Sequence, residues 1–326
     1  MMGHPVVEVG GTHARACRID TTTWHLVPGS AYRLPLDSTA SADAIIATIV
    51  ECTDALHPTS TETLAVAIPG PFDYPSGVAR FEGVGKFDAL AGVDLRRALL
   101  SRLTHRPARV TFVNDAQAFG LGEWLAGSAR GYQRVVAVTL GTGVGSVFIE
   151  AGRVVSSGPS IPPGGEVYRL VVHGRPLEET VSRRAIIDAY RHLAPSSRTP
   201  GLDVRDIASA ALSGDRVAAR VFAQALRMLG EALAPWLVLF NAEVLVVGGG
   251  ISASWTLIYG PMRAGLGGAA DDVAIVKSAD TENSIAVGAA WHSHGLLVSS
   301  DGPYVVQEAR TSVGIEEPGP PRGGLG

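Results

Sequence analysis

Apolar and polar positions along the first third of the chain follow one another in the manner of an α/β protein. VVEVGG and ARACRID read as two strands of a hairpin, with Gly10, Gly11 and Thr12 at the turn. ADAIIATIVECTDAL carries its apolar residues at helical spacing. TLAVAIPGPFD is an apolar strand that stops at Pro69, Gly70 and Pro71. VDLRRALLSRL predicts a second helix, VTFVND a third buried strand and AQAFGLGEWLAG another helix.

The opening pattern then returns. VVAVTLGTGVG is again a valine-rich strand that stops at a Gly-Thr-Gly turn, and SVFIEAGRVV reads as the strand that follows it. Two such strand–turn–strand units predict a duplicated architecture with two similar lobes facing one another. Helices are expected around 181–193, 203–212 and 216–240, then the strand AEVLVVGGGIS, then a closing helix SIAVGAAWHSHGLLV. The division expected is a small lobe over 1–116, completed by the closing helix at about 284–298, and a large lobe over 117–283. Residues 300–326 are rich in Gly, Pro and Glu and predict a disordered tail.

Composition narrows the classes. With 326 residues, 46% of them hydrophobic, the chain can bury a substantial core. A formal net charge of -4 gives no electrostatic case for nucleic acid or an anionic membrane. The most apolar region, 232–250, is broken by Pro235, Asn241 and Glu243, so no membrane span is expected. No secretory leader is apparent, and the two cysteines, Cys17 and Cys52, have no metal or redox spacing. They read as small buried residues in a cytoplasmic protein.

The glycine turns carry the candidate chemistry. Glycines let backbone approach a ligand, their amides can converge on an anion, and a threonine hydroxyl adds a donor. Gly10, Gly11 and Thr12 offer this from one lobe, and Gly141, Thr142 and Gly143 from the other. Gly248, Gly249 and Gly250 end a third strand, where α/β proteins leave an open crevice. Each cluster alone is more often just a tight turn; the signal is all three in order, each after an apolar strand. None is a Walker A loop or a Rossmann fingerprint. Glu8 is either a water-mediated Mg²⁺ ligand beside such a grip or an outward-facing strand residue. Asn114 and Asp115 close a strand and open a helix. They read as an N-cap, as a general base at the crevice, or as both at once.

Taken together, these stretches resemble the ROK family of sugar kinases in the actin-like ATPase/hexokinase superfamily. VEVGGTHARA resembles its first phosphate motif, AIPGPFD its IPGPxD segment and VNDAQAFGLGEWLAG its ENDANAAALGE stretch. VVAVTLGTGVGSVFIEAGRVV resembles the second phosphate motif and AEVLVVGGGIS the adenosine motif. The resemblance spans roughly residues 5–295. It implies two ribonuclease H-like lobes with the active site in the cleft between them, ATP and Mg²⁺, a small-molecule acceptor and often a homodimer. It implies Asp115 as catalytic base and places Asn114, Gly70, Glu166 and Glu178 at the acceptor. It places Gly10, Gly11, Thr12, Gly141, Thr142, Gly143, Gly248 and Gly249 at ATP.

The departures fall near the acceptor. Glu8 stands for the family's aspartate, one methylene longer. VVHGRPLEE holds no cysteine where the family has a zinc cluster, so no structural zinc is expected. Arg169 stands where the family has a histidine; it cannot accept hydrogen bonds, so the hydroxyl pattern read must differ. The family's sugar loop is altered to EGVGKFDALAGVD, where Lys86 and Asp88 are candidate readers. The expectation is an ATP-dependent kinase acting on a primary hydroxyl of a hexose or of a C7-cyclitol pseudo-sugar. The alternatives are a plain glucokinase using ATP or polyphosphate, and a non-catalytic sugar sensor. With the first phosphate strand beginning by residue 6, no N-terminal DNA-binding helix-turn-helix is expected.

Overall fold

The computed structural model describes residues 3–194 and 201–298; the tail expected over 300–326 lies outside them. The chain begins with β1 (His4–Val9), β2 (His13–Asp20), β3 (His25–Leu26) and β4 (Tyr32–Pro35). Next come α1 (Ala42–Asp54), β5 (Thr63–Ile68), β6 (Phe72–Asp73), β7 (Val78–Ala79), α2 (Leu95–Arg102) and β8 (Arg109–Asn114). The first sheet has the order β3-β2-β1-β5-β8, with β4 beside the first half of β2. After α3 (Asp115–Ala126) come β9 (Arg134–Leu140), β10 (Val144–Glu150) and β11 (Arg153–Val155). A small hairpin, β12 (Val171–Val172) and β13 (Arg175–Pro176), leads to α4 (Glu178–Val181) and α5 (Arg183–Leu193). Then follow α6 (Val204–Leu212), α7 (Arg216–Phe240), β14 (Val244–Gly248), α8 (Trp255–Leu266), β15 (Ala274–Lys277) and α9 (Thr281–Val298). The second sheet has the order β11-β10-β9-β14-β15.

The two sheets share one wiring. In each, three strands run antiparallel in sequence, and the first then pairs in parallel with a fourth strand and that with a fifth. The duplication read from the two glycine hairpins is therefore present in the strand order itself. The structure also splits the returning strand SVFIEAGRVV, because Ala151 (φ 48°) and Gly152 (φ 76°) form a tight turn between β10 and β11. α8 and β15 were not anticipated: α8 contains Gly260 and Pro261, and β15 is only four residues long. The closing helix starts at Thr281, three residues before the expected 284.

Among the described residues three apolar cores hold this arrangement. α1 and α2 cover the outer face of the first sheet, and α5 to α8 that of the second. Between the sheets lie α3 and α9, with Phe119, Leu121, Ile285 and Val287 packed against strand residues of both, such as Val6 and Ala65 on one side and Val135 and Val246 on the other. The helices cross closely. A Cβ at Gly122 would strike the backbone of Ser284, and one at Gly288 the carbonyl of Ala118. At one end of this layer Trp24, from the turn after β2, meets Trp291 of α9 edge-on at 5.2 Å, and Trp124 of α3 lies 6.2 Å from Trp291. Cys17 and Cys52 are buried and unpaired, and burial pushes their thiols up to about 12 and about 11.

Candidate active site

Both glycine hairpins open into one cleft of about 1330 Å³ between the sheets. Gly10, Gly11 and Thr12 line it from the β1–β2 turn, and Gly141, Thr142 and Gly143 from the β9–β10 turn. Each turn is closed by its own backbone: Gly10 N–H donates to His13 O at 2.9 Å and Gly141 N–H to Gly143 O at 3.0 Å. The Glu178 carboxylate lies close over Gly143, where a side chain would have to displace it. Glu178 therefore lies against the second turn at the start of α4, nearer the phosphate grip than a purely sugar-reading role implies.

Asn114 forms the helix cap read from its position, and Asp115 lies at the cleft. The Asn114 side chain accepts the N–H groups of Ala116 (3.0 Å) and Gln117 (3.1 Å) and so caps α3. Its amide donates to Tyr74 Oη at 2.9 Å, and Tyr74 donates to Ile68 O at 3.2 Å, beside Gly70. Asp115 is left facing the cleft with Ala116 N–H on its Oδ1 at 2.9 Å. Burial raises its pKa, while the Lys86 ammonium and the Ala116 amide oppose the rise. The net effect is a carboxyl that holds a proton more readily than a free aspartate does.

Glu8 lies in the cleft and is buried, so the outward-facing alternative is excluded. Its Oε2 has no hydrogen-bond partner. Burial first, and the negative charge of Glu282 second, push its pKa up to about 8, against the pull of Arg15 directly across the hairpin. A buried carboxylate oxygen without a partner, beside an anion-binding turn, suits a divalent cation that takes its other ligands from water and phosphate. Among the described residues no group of three or more His, Cys, Asp or Glu side chains is arranged to hold a metal.

At the other end of the cleft Glu166 is engaged by its neighbours. Its Oε2 accepts Tyr168 Oη–H at 3.2 Å and pairs with Arg169 Nε at 2.9 Å, and the same Nε also donates to Tyr168 Oη at 2.9 Å. Arg169 is 69% exposed and stacks over the Tyr168 ring. Two expectations change. Asp88 does not line the cleft; its carboxylate accepts the N–H groups of Val84 (2.9 Å) and Gly85 (3.1 Å), which closes the loop that presents Lys86. Gly248 is buried under Phe119 and Thr281, and it is Gly249 and Gly250 that face the cleft. Thr281 and Glu282 at the start of α9, and Arg33 of β4 paired with Glu282 at 2.7 Å, also line it. Sequence reasoning missed these, since nothing local marks a helix start as facing a remote hairpin.

A model of the ROK family matches residues 5–162 and 172–294. The chain belongs to the ROK family. It is 29% identical over 239 residues to the glucokinase of Thermotoga maritima, a match covering 67% of this chain and 72% of that one. It is 30% identical over 282 residues to the glucokinase of Streptomyces coelicolor, covering 79% and 84%. The crystal structure of a ROK hexokinase from Thermus thermophilus is similar over 89% of this chain and 97% of its own, at 25% identity and a TM-score of 0.68. This ROK chain thus has the two-lobed actin-like ATPase fold. Among its described residues no helix is long and apolar enough to cross a membrane.

Proposed function

We propose that this ROK protein is an ATP-dependent kinase that phosphorylates a primary hydroxyl of a hexose-like acceptor, either a sugar or a C7-cyclitol pseudo-sugar. One observation carries the reading: Asp115, a half-buried carboxyl at the start of α3, shares a single cleft with the glycine turns of both hairpins. Asp115 takes the proton of the acceptor hydroxyl as its oxygen bonds to the γ-phosphorus and the bond to the ADP leaving oxygen breaks. Asn114 and Glu166 supply polar atoms for the acceptor's other hydroxyls. The amides of the two turns hold the phosphate oxygens from both sides. Glu8 would hold Mg²⁺, whose contribution is to neutralise phosphate charge.

The altered acceptor end supports a substrate other than plain glucose. Arg169 donates but cannot accept, and Lys86 brings a cation to a loop otherwise held by Asp88. The deciding experiment is ADP release with Mg·ATP against glucose, mannose, N-acetylglucosamine, N-acetylmannosamine, fructose, valienone and valiolone. Parallel runs replace ATP with polyphosphate. A preference for an acceptor other than plain glucose, a cyclitol among them, is the expected outcome. A preference for glucose would make Arg169 and the 82–94 loop structural substitutions, and no turnover with any acceptor would favour a sugar sensor.

A further inference from the structure

Glu123 lies about two turns along α3 from Asp115 and is completely buried. Its carboxyl group accepts three hydrogen bonds. Oε1 takes Ser278 Oγ–H at 2.6 Å and Ser284 Oγ–H at 2.7 Å, and Oε2 takes Ser128 N–H at 2.7 Å. The two serines bracket the segment 279–283, whose Asp280, Thr281 and Glu282 line the cleft. Thr281 Oγ1 in turn accepts Gly249 N–H at 3.1 Å and donates to Ser278 Oγ at 3.4 Å.

A hydrogen-bonded path therefore runs from Glu123 through Ser278 and Thr281 to the Gly249 turn. That turn has little freedom. Gly249 has φ +84°, and a Cβ there would strike the backbone of Leu140, the residue before the Gly141 turn. A buried carboxyl group costs free energy that an apolar side chain of the same size would not. Here it joins the helix that carries Asp115 to the side of the cleft formed by Gly249 and the second glycine hairpin.

We infer that Glu123 is a positioning residue that locks the Gly249 turn to α3 through Ser278 and Thr281, so that the nucleotide and the base at Asp115 are held in one frame. The inference rests on the kinase reading above. It is tested by titrating Mg·ADP into the wild-type chain, Glu123→Gln, Thr281→Val and the double variant, with melting temperature recorded for each. Each single substitution is expected to weaken Mg·ADP binding about tenfold, and the double variant no further, since both interrupt one path. If Glu123→Gln does not fold, Ser278→Ala replaces it in the same cycle with the same expectation. Additive losses, or unchanged Mg·ADP affinity with a lowered melting temperature, would reduce Glu123 to a packing role and overturn the inference alone. Failure of the wild-type chain to bind Mg·ADP would overturn the kinase reading and the inference with it.

Discussion

Lys86 and the Ala116 N–H favour the ionised form of Asp115 against the burial that opposes it. Asp115→Asn keeps the shape but removes proton acceptance. Its kcat is expected to fall about a hundredfold or more with an unchanged melting curve; near-wild-type turnover would remove the base assignment. Glu8 obeys the same physics with a different consequence. Free glutamate titrates near 4.5, and Glu8 in the fold near 8. Between those values the folded chain holds a proton that the unfolded chain has released. Stability therefore falls as pH rises through that window, and the loss is complete above about 8. Glu8→Gln has no such penalty. Without nucleotide, its melting temperature should gain on wild type from pH 5 to pH 8 and hold a constant lead beyond. A cation beside Glu8 favours the carboxylate, so Mg·ADP binding near pH 7 should release a proton, read by calorimetry in two buffers of different ionisation heat.

At the scale of elements, the crossing of α3 and α9 depends on two glycines whose hydrogens face opposing backbone. No rotamer can relieve a Cβ at Gly288, because the obstacle is the Ala118 carbonyl and not a movable side chain. Gly288→Ala should destabilise the chain by about 3 kcal/mol in urea unfolding, whereas Gly250→Ala, with open space around it, should cost little. The strands and helices of the cores were legible because each buries an apolar face whose period survives in one dimension. The glycine turns were legible because each ends such a strand. What was not legible depended on distant partners. Asp88 reads as a candidate acceptor contact until its acceptance of two nearby amides is seen, and Glu123 as an ordinary helix position until Ser278 and Ser284 arrive from the far end of the chain. The break at Ala151 and Gly152 was hidden for a different reason: a two-residue turn barely interrupts an apolar run.

For the whole molecule, the cleft is walled by two sheets that meet through the α3–α9 layer, with the Arg33–Glu282 pair at its edge. Under the kinase reading, that construction would let the walls approach when acceptor and nucleotide bind, excluding water as a competing phosphoryl acceptor. Small-angle scattering should show a smaller radius of gyration with Mg·ADP plus the preferred acceptor than with neither; an unchanged radius would mean a cleft that is preset. The cluster of Trp24, Trp124 and Trp291 bears on how such movement is seen. Trp24 sits on the turn that joins β2 to β3 of the first sheet, and its two companions on the helices between the sheets. Shear between these parts would alter the indole–indole contacts, so the chain carries its own optical strain gauge, read over the signals of Trp236 and Trp255, which pack against the core of the second sheet.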